Sequence, residues 1–171
     1  VFPGLLAGPP ALFEPNQPVY DTYFHLATAA DINRTGHLPT VLSSYGASWP
    51  GFFVVVAFAN GLGGIAPLQF VGLFPVFSGM FTFVSLFLFF RSFFSPQVAR
   101  AGSLLSSLLA VWAQFHGSPQ GIGLALALLV LATAWDRRVP MRVVNAMLFL
   151  GLMVSHATST VFLLTFFAAD A

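Results

Sequence analysis

The sequence predicts an all-α, polytopic membrane protein: about four spanning helices, a short helix and an amphipathic interfacial helix. Three observations carry that prediction. Hydrophobic residues make up 57% of the 171, and mean hydropathy is +0.87. Charged residues are only 6%, against roughly 25% in an ordinary soluble domain. The charges are also segregated. No Asp, Glu, Lys or Arg occurs from Thr35 to Phe90, from Ala101 to Trp135, or from Val143 to Ala169. A chain of this size must leave much of its surface exposed, with too little charge to cover it. Lipid is therefore the expected solvent for most of that surface.

The net charge of +1 gives no basis for a nucleic-acid partner or a polybasic lipid-binding surface. All six basic residues are Arg, and the absence of cysteine excludes thiol catalysis. The chain opens at Val1 and begins and ends abruptly, so the expectation is a fragment of a longer protein.

Residues 1–49 read as an extramembrane segment. Pro3, Pro9, Pro10, Pro15 and Pro18 forbid a regular helix over residues 1–19. Residues 20–36 carry helix formers, a glycine stop at Gly36 and Pro39 beyond it. They read as an amphipathic helix on the membrane surface. Asp21, His25 and Thr28 share one stripe of its wheel, and Tyr20, Tyr23, Phe24 and Ala27 share another. A loop follows to Pro50, where Tyr45 and Trp49 suit the headgroup level.

Residues 50–171 read as the transmembrane domain. A short helix is expected over 50–61, stopped by Asn60-Gly61-Leu62-Gly63-Gly64. Spans are expected at about 67–90, 101–115, 119–135 and 143–168. The loops 91–100 and 135–142 carry Arg91, Arg100, Arg137, Arg138 and Arg142. The positive-inside rule puts both loops in the cytoplasm, and the 116–121 loop and the end of the last helix outside. Residues 52–59 are too few to cross, which favours Asp21 on the same side as His116.

Four places could carry chemistry. Asp21 and His25 stand at i and i+4, so they can meet on one helix face. They read either as a solvated pair or as an oriented proton acceptor or two metal ligands. Arg34 reads as a phosphate clamp or as a surface cation favoured by the helix dipole. Asn33-Arg34-Thr35 also fits the N-glycosylation pattern. His116 and Gln120, in His-Gly-Ser-Pro-Gln-Gly, either complete a donor- or acceptor-binding site or simply form a loop and helix start. His156, with Ser155, Thr158 and Ser159, lies inside a spanning run, where ionisable groups face inward. No phosphate-binding glycine loop, GxSxG, HExxH or dinucleotide fingerprint is present.

The order of these features resembles the N-terminal part of the GT-C membrane glycosyltransferases. The residues that carry the resemblance are YDTYFHLATAADINRTGHLP, SYGASWPGFFVVV, NGLGG and FVSLFLFFRSFFSPQVAR, within roughly residues 18–125. The resemblance implies a donor that is a polyprenyl-phosphate-linked sugar, a membrane-lipid environment and external transfer to an acceptor. Asp21 matches the family's loop acid, which acts as catalytic base, or as a ligand for magnesium or manganese in the oligosaccharyltransferase branch. His25, Arg34, His116 and Gln120 would then bind phosphate or acceptor. The chain departs from the family at Thr22, where many members have a second acid, and at Trp49-Pro50-Gly51, where many have Pro-Pro. A transporter, or a membrane module without chemistry, is the alternative. A proton- or cation-coupled pump is poorly supported because no acid lies inside a span.

Overall fold

The computed structural model describes residues 20–40, 45–109 and 117–170. Among these residues the protein is all-α, with eight helices and no strand. They are α1 (Tyr20–Thr35), α2 (Tyr45–Ser48), α3 (Gly51–Gly61), α4 (Pro67–Phe93), α5 (Pro96–Leu109), α6 (Pro119–Thr133), α7 (Val139–Ser155) and α8 (Ala157–Asp170).

Local chemistry accounts for the starts. A proline lies in the first turn of α4, α5, α6 and α7, where its missing N–H leaves nothing unpaired. At the start of α4 the Gln69 side chain accepts the Ala66 N–H at 3.1 Å. Of the helices, α4 is long and apolar enough to cross a membrane, from Gln69 to Phe93. At 27 residues it extends about 40 Å.

Helices α4 to α8 alternate in direction. Near the start of α4, Val71 lies under Gly117, just before α6. At the far end of α4, Phe93 meets Trp135 at 5.6 Å, and Ser92 Oγ donates to Ala132 O at 3.0 Å. So α4 and α6 run the same way. Helix α5 returns along α4, with Gly102 against the Phe90 ring. Helix α7 runs against α6: Asn145 donates to Val130 O and Thr133 Oγ1 (both 2.8 Å), and His156 reaches back to Gly123. Helix α8 runs with α6, because Phe166 packs edge-on to Trp135 at 6.4 Å. Helix α6 is central, and Gly121, Gly123, Ala125 and Ala127 on it are buried. Small residues there let several helices approach closely.

The run expected as one span over 143–168 is therefore two antiparallel helices. The chain reverses at His156, whose backbone is extended (φ −154°, ψ 112°). Hydropathy alone cannot show a reversal between two apolar segments. The end of α8 consequently lies beside Trp135, at the opposite end of α6 from residues 117–121. The 91–100 loop also differs from expectation: α4 continues to Phe93 and α5 begins at Pro96, so Arg91 and Arg100 sit on helix ends. Likewise Arg142 lies on α7. The 101–115 run is described as far as Leu109, within α5. The expected prolines of residues 1–19 fall outside the described residues.

Helices α1 to α3 cover the end at which α4 and α6 begin. Ala29, Phe52, Phe53, Val56, Ala57 and Phe74 form the core there, joined by Leu26, Ile32 and Tyr45. Helix α1 docks through Thr22, Leu26, Ala29 and Ile32, spaced three to four residues apart. The aromatic stripe turns outward instead, with Tyr23 38% and Phe24 53% exposed. An amide latch fixes the other end of α1. Asn33 Nδ2 donates to Asn60 Oδ1 at 2.5 Å, and Asn60 Nδ2 donates to Ile65 O at 2.9 Å. Helix α3 starts hard against α7. A Cβ at Gly51 would lie 2.6 Å from Ser155 Oγ and 3.0 Å from Val154 O, so only glycine fits.

Candidate functional site

At the end of the bundle opposite Arg91, Arg137, Arg138 and Arg142, four pieces of chain meet. The first two turns of α1 bring Asp21 and His25, and α2 brings Tyr45. The start of α6 brings Ser118, Pro119 and Gln120, and the α7–α8 reversal brings His156. Together they line a cavity of about 240 Å³. Four of the six residues singled out in the sequence, Asp21, His25, Gln120 and His156, thus share one wall-to-wall site.

Each residue is held by its element. His25 is half-buried, with its ring 5.4 Å from Phe53 and 5.9 Å from Phe52, so the α1–α3 core fixes its position. Tyr45 lies 5.3 Å from Trp49 and 6.2 Å from Phe53. Burial pushes its phenol above the ordinary value, while a backbone hydrogen bond from Ala157 pulls the other way. His156 acts as the cap of α8. Its Nδ1 accepts the Ser159 N–H at 3.3 Å and lies 2.8 Å from Ser159 Oγ. An acceptor at that position satisfies one of the orphan donors of a helix start, as an Asn or Asp cap does. Because Nδ1 accepts, the proton of the neutral ring resides on Nε2.

The ring of His156 sits directly on Gly123. A Cβ there would lie 2.6 Å from His156 Cβ, 2.9 Å from Cγ and 3.1 Å from Nδ1. Glycine at 123 therefore permits the reversal to pack onto α6. Ser118 occupies the N-cap position of α6 in an extended conformation, yet its side chain does not cap the helix. It is 2% exposed, and its Oγ finds no hydrogen-bond partner among the described residues. Such a buried, unanswered hydroxyl costs about 1–3 kcal/mol unless a ligand or water meets it.

A second, apolar slot of about 410 Å³ adjoins this cavity and shares Gln120 and His156 with it. It runs between α6 and α8, lined by Leu124, Leu128 and Leu131 on one side and Phe162 and Leu163 on the other.

Two expectations do not meet at the site. Arg34 lies 13 positions along α1 from Asp21, about 20 Å away. It pairs with Asp31 at 2.6 Å, with both side chains largely exposed. Its phosphate-binding role is not supported by this placement. His116 falls outside the described residues. For a divalent metal, Asp21 and His25 are the candidate ligands in the cavity wall, and among the described residues no group of three His, Cys, Asp or Glu is placed to hold one.

The sequence reading missed Tyr45 and Ser118 as site residues. Tyr45 carried an interfacial signal that any loop aromatic carries. Ser118 precedes a proline, the ordinary pattern of a helix start, and only its buried, uncapping hydroxyl sets it apart. Compared with known proteins, the chain matches no family model, no curated protein and no solved structure.

Proposed function

We propose that this chain belongs to a polytopic membrane enzyme that transfers a sugar from a polyprenyl-phosphate-linked donor to an acceptor at the external face. The observation that carries the reading is the pairing of a polar cavity, with Asp21 in its wall, and an apolar slot opening from the same residues, Gln120 and His156. A donor with a sugar head and a hydrocarbon tail needs both compartments. A small soluble substrate needs only the first.

The membrane setting is supported by the outer surface. Leu73, Phe77, Met80 and Val84 on α4, Met147 and Leu150 on α7, and Val161 and Phe162 on α8 are exposed, 49% to 68% each. An apolar surface of that extent is disfavoured in water. Arg91, Arg137, Arg138 and Arg142 gather at the end away from the cavity, which in this reading is cytoplasmic. Helix α3, 11 residues long, extends about 16 Å, too short to cross a hydrocarbon core of about 30 Å. Asp21 and the start of α6 are then both external.

The chemistry follows from the residues. An acceptor hydroxyl attacks the anomeric carbon of the sugar. The bond from that carbon to the phosphate oxygen breaks, and the lipid phosphate leaves with the electron pair. The Asp21 carboxylate accepts the acceptor's proton as the new bond forms. His25 borders the same space and orients polar groups of acceptor or sugar.

The test is Asp21→Asn in membranes supplied with a labelled polyprenyl-phosphate-sugar. Loss of a positioned base should slow transfer at least about 100-fold, with donor binding kept. Transfer at the parental rate would remove Asp21 from the mechanism. A separate Ala30→Cys variant, at an exposed position on α1, reports topology. Labelling by an impermeant thiol reagent from outside is expected; protection until the membrane is opened would overturn the external site.

A further inference from the structure

Helices α6 and α8 run in the same direction and both begin at the polar cavity. A helix start carries a partial positive charge and unpaired N–H groups. Two parallel starts at one cavity favour an anion more than either alone. At α8 the His156 ring and the hydrogen bond between Tyr45 and the Ala157 backbone already engage the first donors. At α6 the situation differs. Pro119 has no N–H, the Gly121 N–H turns back to Ser118 O at 3.3 Å, and the side chain in the capping position, Ser118, does not cap. Its hydroxyl is buried, borders the cavity and finds no hydrogen-bond partner among the described residues. That unanswered group is independent of the helix ends and points to a ligand atom that accepts a hydrogen bond.

The apolar slot leaves the cavity between these same two helices. An anion at the helix starts, joined to a hydrocarbon chain, would therefore fill both spaces in one direction. Asp21 lines the same cavity from α1, so an anion at the helix starts must be seated clear of its carboxylate.

We propose that the starts of α6 and α8, with Ser118 Oγ as a hydrogen-bond donor, hold the phosphate of a long-chain alkyl phosphate whose chain lies in the α6–α8 slot. This rests on the proposed donor class, a phosphodiester whose lipid monoester leaves on transfer, and adds where that phosphate and chain sit. His156 then borders the ligand as well as capping the helix, because it lines both compartments.

The experiment uses the full chain in phosphatidylcholine nanodiscs and follows thermal unfolding by tryptophan fluorescence. Hexadecyl phosphate, hexadecanol and inorganic phosphate are the probes. Hexadecyl phosphate should raise the melting temperature clearly, hexadecanol much less and inorganic phosphate little. Ser118→Ala should weaken hexadecyl phosphate about tenfold while the unliganded protein melts no lower, because an unpaired buried hydroxyl has been removed. Leu124→Trp, which fills the slot, should bring hexadecyl phosphate down to the level of inorganic phosphate. Equal shifts with hexadecanol and hexadecyl phosphate would overturn the anion seat. Equal shifts with inorganic and hexadecyl phosphate would overturn the role of the slot. Undiminished binding by Ser118→Ala would overturn the assignment of its hydroxyl. Asp21→Asn should bind hexadecyl phosphate normally. Binding without any sugar transfer by the parent chain would thus count against the proposed enzyme and not against the phosphate seat.

Discussion

Gly123→Ala tests whether the contact between α6 and the α7–α8 reversal shapes the site. The added methyl would stand 2.6 Å from His156 Cβ and 2.9 Å from Cγ. Both atoms are close to the backbone, so the ring cannot simply swing aside. Two terms oppose each other. Replacing glycine inside a helix by alanine gains about 1 kcal/mol. Overpacking a tight contact costs about 1–3 kcal/mol. The net expectation is a loss of up to about 2 kcal/mol, which lowers the melting temperature by several degrees, given about 2–4 °C per kcal/mol for a chain of this size. Gly151→Ala is the matched control. It lies inside α7, where an added Cβ meets nothing within 4 Å. It should gain up to about 1 kcal/mol and melt higher. The assay is thermal unfolding of both variants in the same lipid, with sugar transfer or hexadecyl phosphate binding measured in parallel. Gly123→Ala should lose both stability and ligand binding. If the two variants were equally stabilised and bound ligand alike, the packing of His156 on Gly123 would have no bearing on the site.

Other outcomes follow from separate contacts. Asn60→Ala removes an amide that joins α1 to the α3–α4 link, and should cost about 0.5–1.5 kcal/mol by thermal unfolding. It should also hasten proteolysis near residue 33; unchanged cleavage would show that the latch does not hold α1. The Tyr45 phenol is shifted up by burial, so its stabilising contribution is complete below its ordinary value of 10.0 and is lost as pH rises through the folded value. Absorbance titration should show Tyr45 ionising later than an exposed tyrosine, and Tyr45→Phe should remove that late step. Asp136 is held down to about 2 by its hydrogen bonds to Arg138, with 2.5 Å between Oδ2 and the guanidinium. Arg138→Ala should return it toward 3.8, measured by carbon NMR of the carboxylate. Its stabilising effect is present above the ordinary value and is lost as pH falls through about 2, and the pair's exposure keeps that effect small.

Much of this fold was legible because the signals were local. Pro67 and Pro119 open their helices where the sequence placed span starts, a rule about a missing N–H being enough to read them, whereas Pro96 and Pro140 open helices inside segments read as loops. The glycines after Asn60 end α3 for a similarly local reason. The reversal at His156 was not legible, since both flanks are equally apolar and a hydropathy window averages over one extended residue. The His-Ala-Thr-Ser sequence there did contain a capping pattern, with an acceptor three residues before Ser159. At the site, Asp21 and His25 announced themselves through their spacing, and Gln120 through its polar neighbours. Their convergence with His156 depends on helix directions, which no spacing rule supplies. Arg34 carried a charge signal without a position, and the structure pairs it with Asp31 toward the far end of α1. Which face α1 buries was not legible either: Tyr23 and Phe24 turn outward, while the smaller Thr22 and Ala29 are buried.

The amide latch at Asn33 bears on a different process, chain maturation. Asn33-Arg34-Thr35 is an acceptor pattern for N-linked sugar, and the nitrogen that would carry that sugar is the one that donates to Asn60. A Cβ on neighbouring Gly61 would lie 2.6 Å from the Asn33 side-chain oxygen, so α3 closes one side of this amide while the residue stays exposed on the other. Glycan addition replaces one of the two hydrogens on that nitrogen and leaves the other to reach Asn60. In a cell that glycosylates this segment, the sugar would therefore have to project from the exposed side for α1 to dock, and occupancy at Asn33 would set which hydrogen holds the latch.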